Sequence, residues 1–349
     1  MNLEFELDRW DNQTILVIGD MMVDFYVNGK ANRLCPEAPV PVVQVESTSQ
    51  VPGGAANLAC NILSLGGHPI LVGIVGDDSV GRKLLDQLSV QGIEVVGIVV
   101  PGRPTTLKTR IMVQHHLLVR TDQEESAPLP LEIQSKILQA CRSAIPRATV
   151  VVISDYAKGV VSHYLAKRVI QLCCRFGKIC LADPKGTDFR KYRGVTVITP
   201  NLKETELATG IRIKDEASLH RAGQVLLKIT GCRAALITQG KDGVSIFRRD
   251  GKTYHLPAIT TEVFDVTGAG DTLLATLASA LASGYTLLEA SFLANIAAGL
   301  AVRKLGTASI SFDELRKALL SLQGGIDRQI KQNKPLPECG KQVPGVNVT

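Results

Sequence analysis

Asp265-Val-Thr-Gly-Ala-Gly-Asp-Thr272 is the stretch on which the reading of this chain turns. Small residues stand directly before an apolar run, 273–281, that has the length of a helix. Small residues let the backbone approach a phosphate closely, and unpaired N–H groups at a helix start attract its negative charge. A carboxylate in that position, Asp271, would repel a phosphate and is out of place as a binding group. It makes sense as a base that takes the proton of a hydroxyl attacking the phosphate. The competing interpretation is a tight strand-to-helix turn with Asp271 in the first helical turn.

On the N-terminal side of the octet, short β-branched runs alternate with helical patterns. Runs 14–18, 70–75, 95–100, 150–154, 179–182, 195–199 and 234–238 read as strands. Helical periodicity covers 55–65, 80–91, 131–144, 162–174, 216–228 and, beyond the octet, 287–302. Continuously apolar strands separated by helices predict an α/β fold, a doubly wound and mostly parallel sheet with helices on both faces. Two stretches interrupt the rhythm. Residues 23–51 contain Pro36, Pro39 and Pro41 and no helical period, and residues 104–122 give two short extended runs around His115-His116. These predict a small β-lid, from about 21–52 and 104–122, over the mouth of the sheet. A lid suits phosphoryl transfer, which must exclude water. Neighbours on a strand face opposite ways, which argues against joint catalysis by His115 and His116. One domain over 1–325 is expected, followed by a polar tail, 326–349, poor in large apolar residues and expected to be poorly ordered.

Composition narrows the function. Apolar residues make up 45% of the 349 and charged residues 21%, as in an ordinary globular enzyme. At 4% aromatics, stacking platforms for single-stranded nucleic acid are not expected, and the net charge of +6 is not gathered into a basic block. The eight cysteines show no metal-ligand spacing and mostly lie in apolar stretches, which points to free thiols in a reducing compartment. No membrane-spanning run and no signal peptide are read, so the expected location is the cytoplasm, without nucleic-acid or membrane partners.

Neither a Walker-type loop nor a dinucleotide-binding glycine fingerprint is present, which sets aside a dinucleotide oxidoreductase. Other constellations accompany the octet. Asp20 follows the first strand, with Asp24 close behind, where the carboxylates of an open α/β sheet meet a ligand such as a sugar or else cap a turn. Pro52-Gly-Gly-Ala-Ala-Asn57 admits a ligand close to the backbone at Gly53 and Gly54, with Asn57 able to bond hydroxyls, or is only a helix start. Asn201 and Glu204 suit a hydrated Mg²⁺ on a nucleotide, and the same spacing makes a capping box. Thr238-Gln-Gly-Lys-Asp-Gly243 is a turn that could receive a nucleotide at Thr238 and Gly240, or a plain hairpin. Lys185 could neutralise a transferring phosphate or simply be solvated.

In this order, these residues resemble the ribokinase-like carbohydrate kinases, the PfkB family, from about Ile15 to Phe312. Arg33–Val43, Pro52–Asn57, Ser154–Gly159, Asp183–Phe189 and Lys304–Thr307 are similar to the branch that phosphorylates heptose 7-phosphate. Cys35 departs from that branch, where a serine is expected. The branch is often fused to a nucleotidyltransferase, and the expectation here is the stand-alone kinase. The resemblance implies ATP with Mg²⁺, with K⁺ or a similar monovalent cation beside the octet, and a homodimer through the lids. It implies that Asp271 is the base and that Gly268, Ala269 and Gly270 form the anion hole. Asp20, Gly53, Gly54 and Asn57 would hold the sugar; Lys185, Asn201, Glu204, Thr238, Gly240 and Asn295 would serve the nucleotide, Glu204 through Mg–ATP. For the substrate's own phosphate, Lys108 and Arg110 are preferred to Arg33 and Arg120. Other acceptors (fructose phosphate, ribose, a nucleoside) and a non-catalytic sugar-binding regulator are the alternatives.

Overall fold

The structure is a computed structural model and describes residues 10, 13–114, 116–259, 263–304, 306 and 309–332, the last ten by backbone alone. Strand β1 (Thr14–Gly19) continues after one residue into β2 (Met21–Leu34), which is followed by β3 (Pro41–Gly54) and directly by α1 (Ala55–Ser64). Next come β4 (His68–Gly76), α2 (Ser79–Val90), β5 (Glu94–Val100), β6 (Thr106–Val113) and β7 (His116–Gln123). Then follow α3 (Leu131–Ala144), β8 (Val150–Ser154), α4 (His163–Arg175), β9 (Ile179–Asp183) and the short β10 (Val197–Ile198). After them are α5 (Leu202–Thr209), α6 (Glu216–Thr230), β11 (Ala234–Thr238), β12 (Val244–Arg248) and β13 (Thr253–Leu256). Helices α7 (Ala269–Ala282), α8 (Leu287–Ala301) and α9 (Phe312–Gln332) complete the order.

Nine strands form one sheet in the order β13-β12-β11-β10-β9-β8-β1-β4-β5. From β11 to β5 the pairing is parallel, and β12 and β13 add an antiparallel edge. Side chains alternate along each strand. Ile15 and Val17 of β1 therefore pack with α1, α7, α8 and α9, whereas Leu16 and Ile18 pack with α3, α4 and α6. Both faces are covered, which is why these strands are apolar throughout. Helix ends follow local chemistry: Asp78 accepts from the Gly81 N–H at 2.7 Å to start α2, and left-handed Gly210 and Gly231 end α5 and α6. Ser162 caps α4 through the Leu165 N–H at 3.1 Å.

The lid is a separate four-stranded sheet, β3-β2-β6-β7, mixed in direction. Its two predicted segments thus meet as β2–β3 and β6–β7. The doubly wound sheet also matches expectation, and two strand ranges, 150–154 and 234–238, coincide with β8 and β11. The expected strand 195–199 contracts to Val197–Ile198, while β12, β13 and α9 had no counterpart in the periodicity. Helix α9 carries the chain to Gln332; the remainder of the expected tail, 333–349, lies outside the described residues. So do His115, Leu305 and Thr307.

Candidate active site

Chain order reverses in the sheet between β1 and β8, the place where open α/β sheets take ligands at the carboxyl ends of their strands. Asp20 leaves β1 there, and the segment Asp155–Val160 leaves β8. Asp20 is buried; its Oδ2 accepts the N–H groups of Tyr156 at 2.9 Å and Lys158 at 3.1 Å, and its Oδ1 that of Val160 at 3.1 Å. In this structure the carboxylate therefore anchors a loop. Burial, with the nearby Asp155, raises its proton affinity, and the three N–H groups work against that.

Asp271 lies in the first turn of α7, whose start is set by Gly268 in the left-handed region at φ 79°. That residue turns the chain into the helix without the Cβ penalty any other residue would incur. Asp271 is 6% exposed, and each carboxylate oxygen accepts one hydrogen bond. Asn57 Nδ2 donates to Oδ2 at 2.6 Å and the Tyr156 hydroxyl to Oδ1 at 2.7 Å. Burial pushes the Asp271 carboxyl up from 3.8 to about 6, against the pull of those two donors, with Asp24 adding repulsion. Asn57 is itself held, because Asn61 Nδ2 donates to its Oδ1 at 3.2 Å and to its carbonyl at 2.9 Å. Thr272 donates in turn to Asn61 Oδ1 at 2.9 Å, which ties α1 back to α7.

Beside Asp271, the N–H groups of the first α7 turn have no intrahelical acceptors by geometry. The Ala269 N–H makes a long bond to the Val266 carbonyl, 3.3 Å, and Gly270 is exposed, with open space where a side chain would go. Asp265 fixes the loop before them by accepting from the Thr267 and Gly306 N–H groups, each at 2.9 Å. Gly54 ends β3 at φ 57°, and a Cβ there would stand 2.5 Å from the Asp20 carbonyl oxygen. A Cβ on Gly53 would stand 2.9 Å from Asp24 Oδ2. Both glycines let β3 pass β2 and Asp20 on the way into α1, so the helix start that the sequence also allowed is realised here.

Of the residues expected to serve the nucleotide, Asn201 and Glu204 form the capping box of α5: the Glu204 N–H donates to Asn201 Oδ1 at 2.9 Å and the Asn201 N–H to Glu204 Oε2 at 3.0 Å. Glu204 Oε1 meanwhile pairs with Lys185 Nζ at 2.7 Å. Asp183, at the end of β9, lies among these carboxylates, and burial together with Glu204 and Asp271 pushes its carboxyl well up. Thr238 adjoins Asn201 through an isolated bridge, and Gly240 begins the turn between β11 and β12, so the hairpin alternative is also realised. Asn295 donates to the Pro257 carbonyl at 2.7 Å, holding the segment after β13. A cavity of about 550 Å³ lies between α5–α6 and β12–β13, lined by Leu219, His220, Gln239, Ser245, Phe247 and His255 among others. It adjoins the Thr238–Gly240 turn, and neither Asp271 nor Asn57 lines it.

The lid candidates behave differently from one another. Arg110 of β6 binds Asp24 of β2 at 2.5 Å and stacks over the Tyr26 ring at 5.3 Å. Lys108 is half-buried, and burial lowers its affinity for a proton while Asp122 and Glu124 raise it. Arg33 and Arg120 are exposed, Arg120 beside Asp122. Tyr156 is the residue that sequence reasoning missed. It was noticed only within a stretch of resemblance, and the signal for its role is a contact across 115 positions of sequence.

Among the described residues no helix is long and apolar enough to cross a membrane. The sequence pattern of the pfkB family carbohydrate kinases matches residues 12–314. The chain is 44% identical over 306 residues to the bifunctional protein HldE of Paramagnetospirillum magneticum, covering 87% of this chain and 63% of the relative. With HldE of Wolinella succinogenes it shares 40% over 331 residues, 94% of this chain and 69% of the relative. The chain thus spans roughly two thirds of the length of these curated relatives. The structure resembles Arabidopsis thaliana ribokinase complexed with ribose and ATP, with TM-score 0.69 and 19% identity over 88% of this chain and 99% of the other. For Escherichia coli phosphofructokinase-2 in complex with potassium the TM-score is 0.76, with 17% identity over 89% of this chain and 99% of the other. With a family match over most of its length and this fold around Asp271, the chain belongs to the pfkB family of carbohydrate kinases.

Proposed function

We propose that this kinase transfers the γ-phosphoryl group of ATP to the anomeric hydroxyl of D-glycero-β-D-manno-heptose 7-phosphate, giving the 1,7-bisphosphate used for lipopolysaccharide cores. The observation that carries the reaction type is the held carboxylate of Asp271 at the start of α7, next to the exposed Gly270 in the helix's first turn. In the transfer the acceptor O–H bond breaks, its proton goes to Asp271, and its electron pair forms the new bond to phosphorus as ADP leaves. The N–H groups of Gly268, Ala269 and Gly270 stabilise the charge spread over the moving phosphoryl oxygens. The acceptor assignment is supported by the HldE relatives and the motif stretches shared with the heptose-phosphate branch.

Asp20, Gly53, Gly54 and Asn57 line the sugar side in this reading, and Lys108 and Arg110 take the substrate's phosphate. Lys185, Asn201, Glu204, Thr238, Gly240 and Asn295 serve ATP. The residues present fit a magnesium ion brought in on the nucleotide: burial, with repulsion from Glu204 and Asp271, pushes Asp183 toward protonation, and this cluster of carboxylates gains from added positive charge. When bound, the ion neutralises charge on the phosphates, and Glu204 would hold it through water. A monovalent cation near the 265–272 loop belongs to the same proposal. The lids are proposed to pair two copies, supported by the exposed Leu117, Leu118 and Val119 of β7, and sedimentation tests that. The setting is cytoplasmic, in keeping with the free thiols.

The decisive experiment is ADP release with Mg–ATP and heptose 7-phosphate, fructose 6-phosphate, ribose or adenosine. Preference for heptose 7-phosphate, with the product blocked at the anomeric carbon, supports the proposal. Preference for another acceptor overturns the substrate and keeps the chemistry.

A further inference from the structure

We propose that Tyr156 is a positioning residue for the base: its phenolic O–H, held on Asp271 Oδ1, fixes the plane of the carboxylate and favours its ionised form. The inference rests on Asp271 acting as that base. With Asn57 on one oxygen and Tyr156 on the other, at 2.6 and 2.7 Å, the carboxylate is gripped from both sides and cannot rotate. Each oxygen keeps a second lone pair, and the acceptor's proton goes there.

The tyrosine can do this because its backbone is fixed independently of its side chain. Asp20 takes the N–H groups of Tyr156, Lys158 and Val160, and Ala157 stands in the left-handed region at φ 56°. Arg103 donates to the Lys158 carbonyl at 2.8 Å, and the Lys158 ammonium pairs with Glu124 at 2.6 Å. The ring is thus delivered to Asp271 by a loop tied to β1 on one side and to the lid's flank on the other.

Among the described residues, the other charged groups near Asp271 do not favour its ionised form or are already engaged. Asp24 of β2 repels it, and Asp183 of β9 is itself pushed toward the neutral form by burial; Arg110 of β6 is paired with Asp24, and Lys185 with Glu204. Among the described residues, the hydrogen bonds from Tyr156 and Asn57 are what oppose burial. The phenol itself is kept protonated, since burial and the Asp271 charge raise its proton affinity well above the ordinary value. It therefore acts as a donor throughout.

The test is Tyr156→Phe, which removes the hydroxyl and keeps the ring. The acid limb of kcat/KM should move up by about one to two pH units, the scale of a hydrogen bond to a charged group. Activity above the shifted limb should fall less than at pH 6, and KM for ATP should stay within a few-fold. A uniform loss at every pH, or a rise in acceptor KM with an unmoved limb, would overturn the proposal and make Tyr156 a substrate contact or a packing residue. A second readout needs no acceptor: the Asp271 carboxyl is followed by ¹³C NMR, assigned against Asp271→Asn. Its titration midpoint should be higher in Tyr156→Phe, and an unchanged midpoint rejects the idea. If the parent turns over none of the acceptors, the substrate reading has failed and this titration still decides. Should the phenylalanine variant fold poorly, Tyr156→Met gives a similar bulk without the hydroxyl for the same titration.

Discussion

The floor of the site and the lid above it are built to opposite specifications. Around Asp271 the polar side chains of Asn57, Asn61 and Thr272 are buried and joined in one hydrogen-bonded chain from α1 to α7. In the lid, every residue of β7 is exposed, and the charged groups pair locally, Arg120 with Asp122 and Lys30 with Glu46. A buried network is ordered before the reaction and costs no reorganisation during it. Exposed pairs contribute little to stability and can be exchanged readily. The division suggests where the chemistry is fixed and where the choice of acceptor resides.

The sharpest way to break this comparison is at the floor. Asp271→Ala should lower kcat by roughly 10²-fold or more, the usual contribution of a positioned general base, and leave ATP binding largely intact. Turnover within a few-fold of the parent would remove Asp271 from the chemistry. Next is Gly54→Ala, where positive φ and a 2.5 Å approach to the Asp20 carbonyl combine. The backbone strain alone is worth on the order of 1–3 kcal/mol, so a fall in chemical-denaturation midpoint is expected. An unchanged midpoint would mean that β3 has room to move.

The pH dependence comes third. Asp271 works ionised, so kcat/KM should drop about tenfold per unit as pH falls below about 6. Stability carries the opposite sign. The folded carboxyl binds a proton more tightly than the unfolded one, so its contribution to stability declines as pH rises from about 4 through about 6. The stability of Asp271→Asn relative to the parent should accordingly be greater at pH 8 than at pH 5, read as a melting-temperature difference. The smallest effect tests the lid. Lys108→Ala and Arg110→Ala should raise KM for a phosphorylated sugar by roughly tenfold, on the scale of one charge-assisted hydrogen bond, and more than KM for ATP. Equal effects on both substrates would mean that these cations do not read the sugar phosphate.

How much of this was legible depended on the range of the interaction. The octet announced itself because its geometry is local: a left-handed Gly268, a helix start and a carboxylate fit within eight residues. Asn201 and Glu204 offered two readings, and the capping box is made while Glu204 also holds Lys185, so the spacing alone had no means of separating them. Strands β12 and β13 are hard to see in the sequence because four or five residues give too little alternation to count, although the turn before them allows a hairpin as well as a nucleotide loop. Tyr156 and the three-pronged grip of Asp20 were hidden for a different reason. Both depend on β1 and β8 lying side by side, a neighbour relation that periodicity does not encode.

One connection in the fold has a mechanical meaning. Between β1 and β2 there is a single residue, Asp20, and between β3 and α1 there is none. The two junctions are laced together where the Ala55 N–H meets the Asp20 carbonyl at 3.0 Å. Any swing of the lid relative to the main sheet must be taken up at that axle, since neither crossing has slack to absorb it. A substitution that loosens either junction should therefore be felt across the whole canopy.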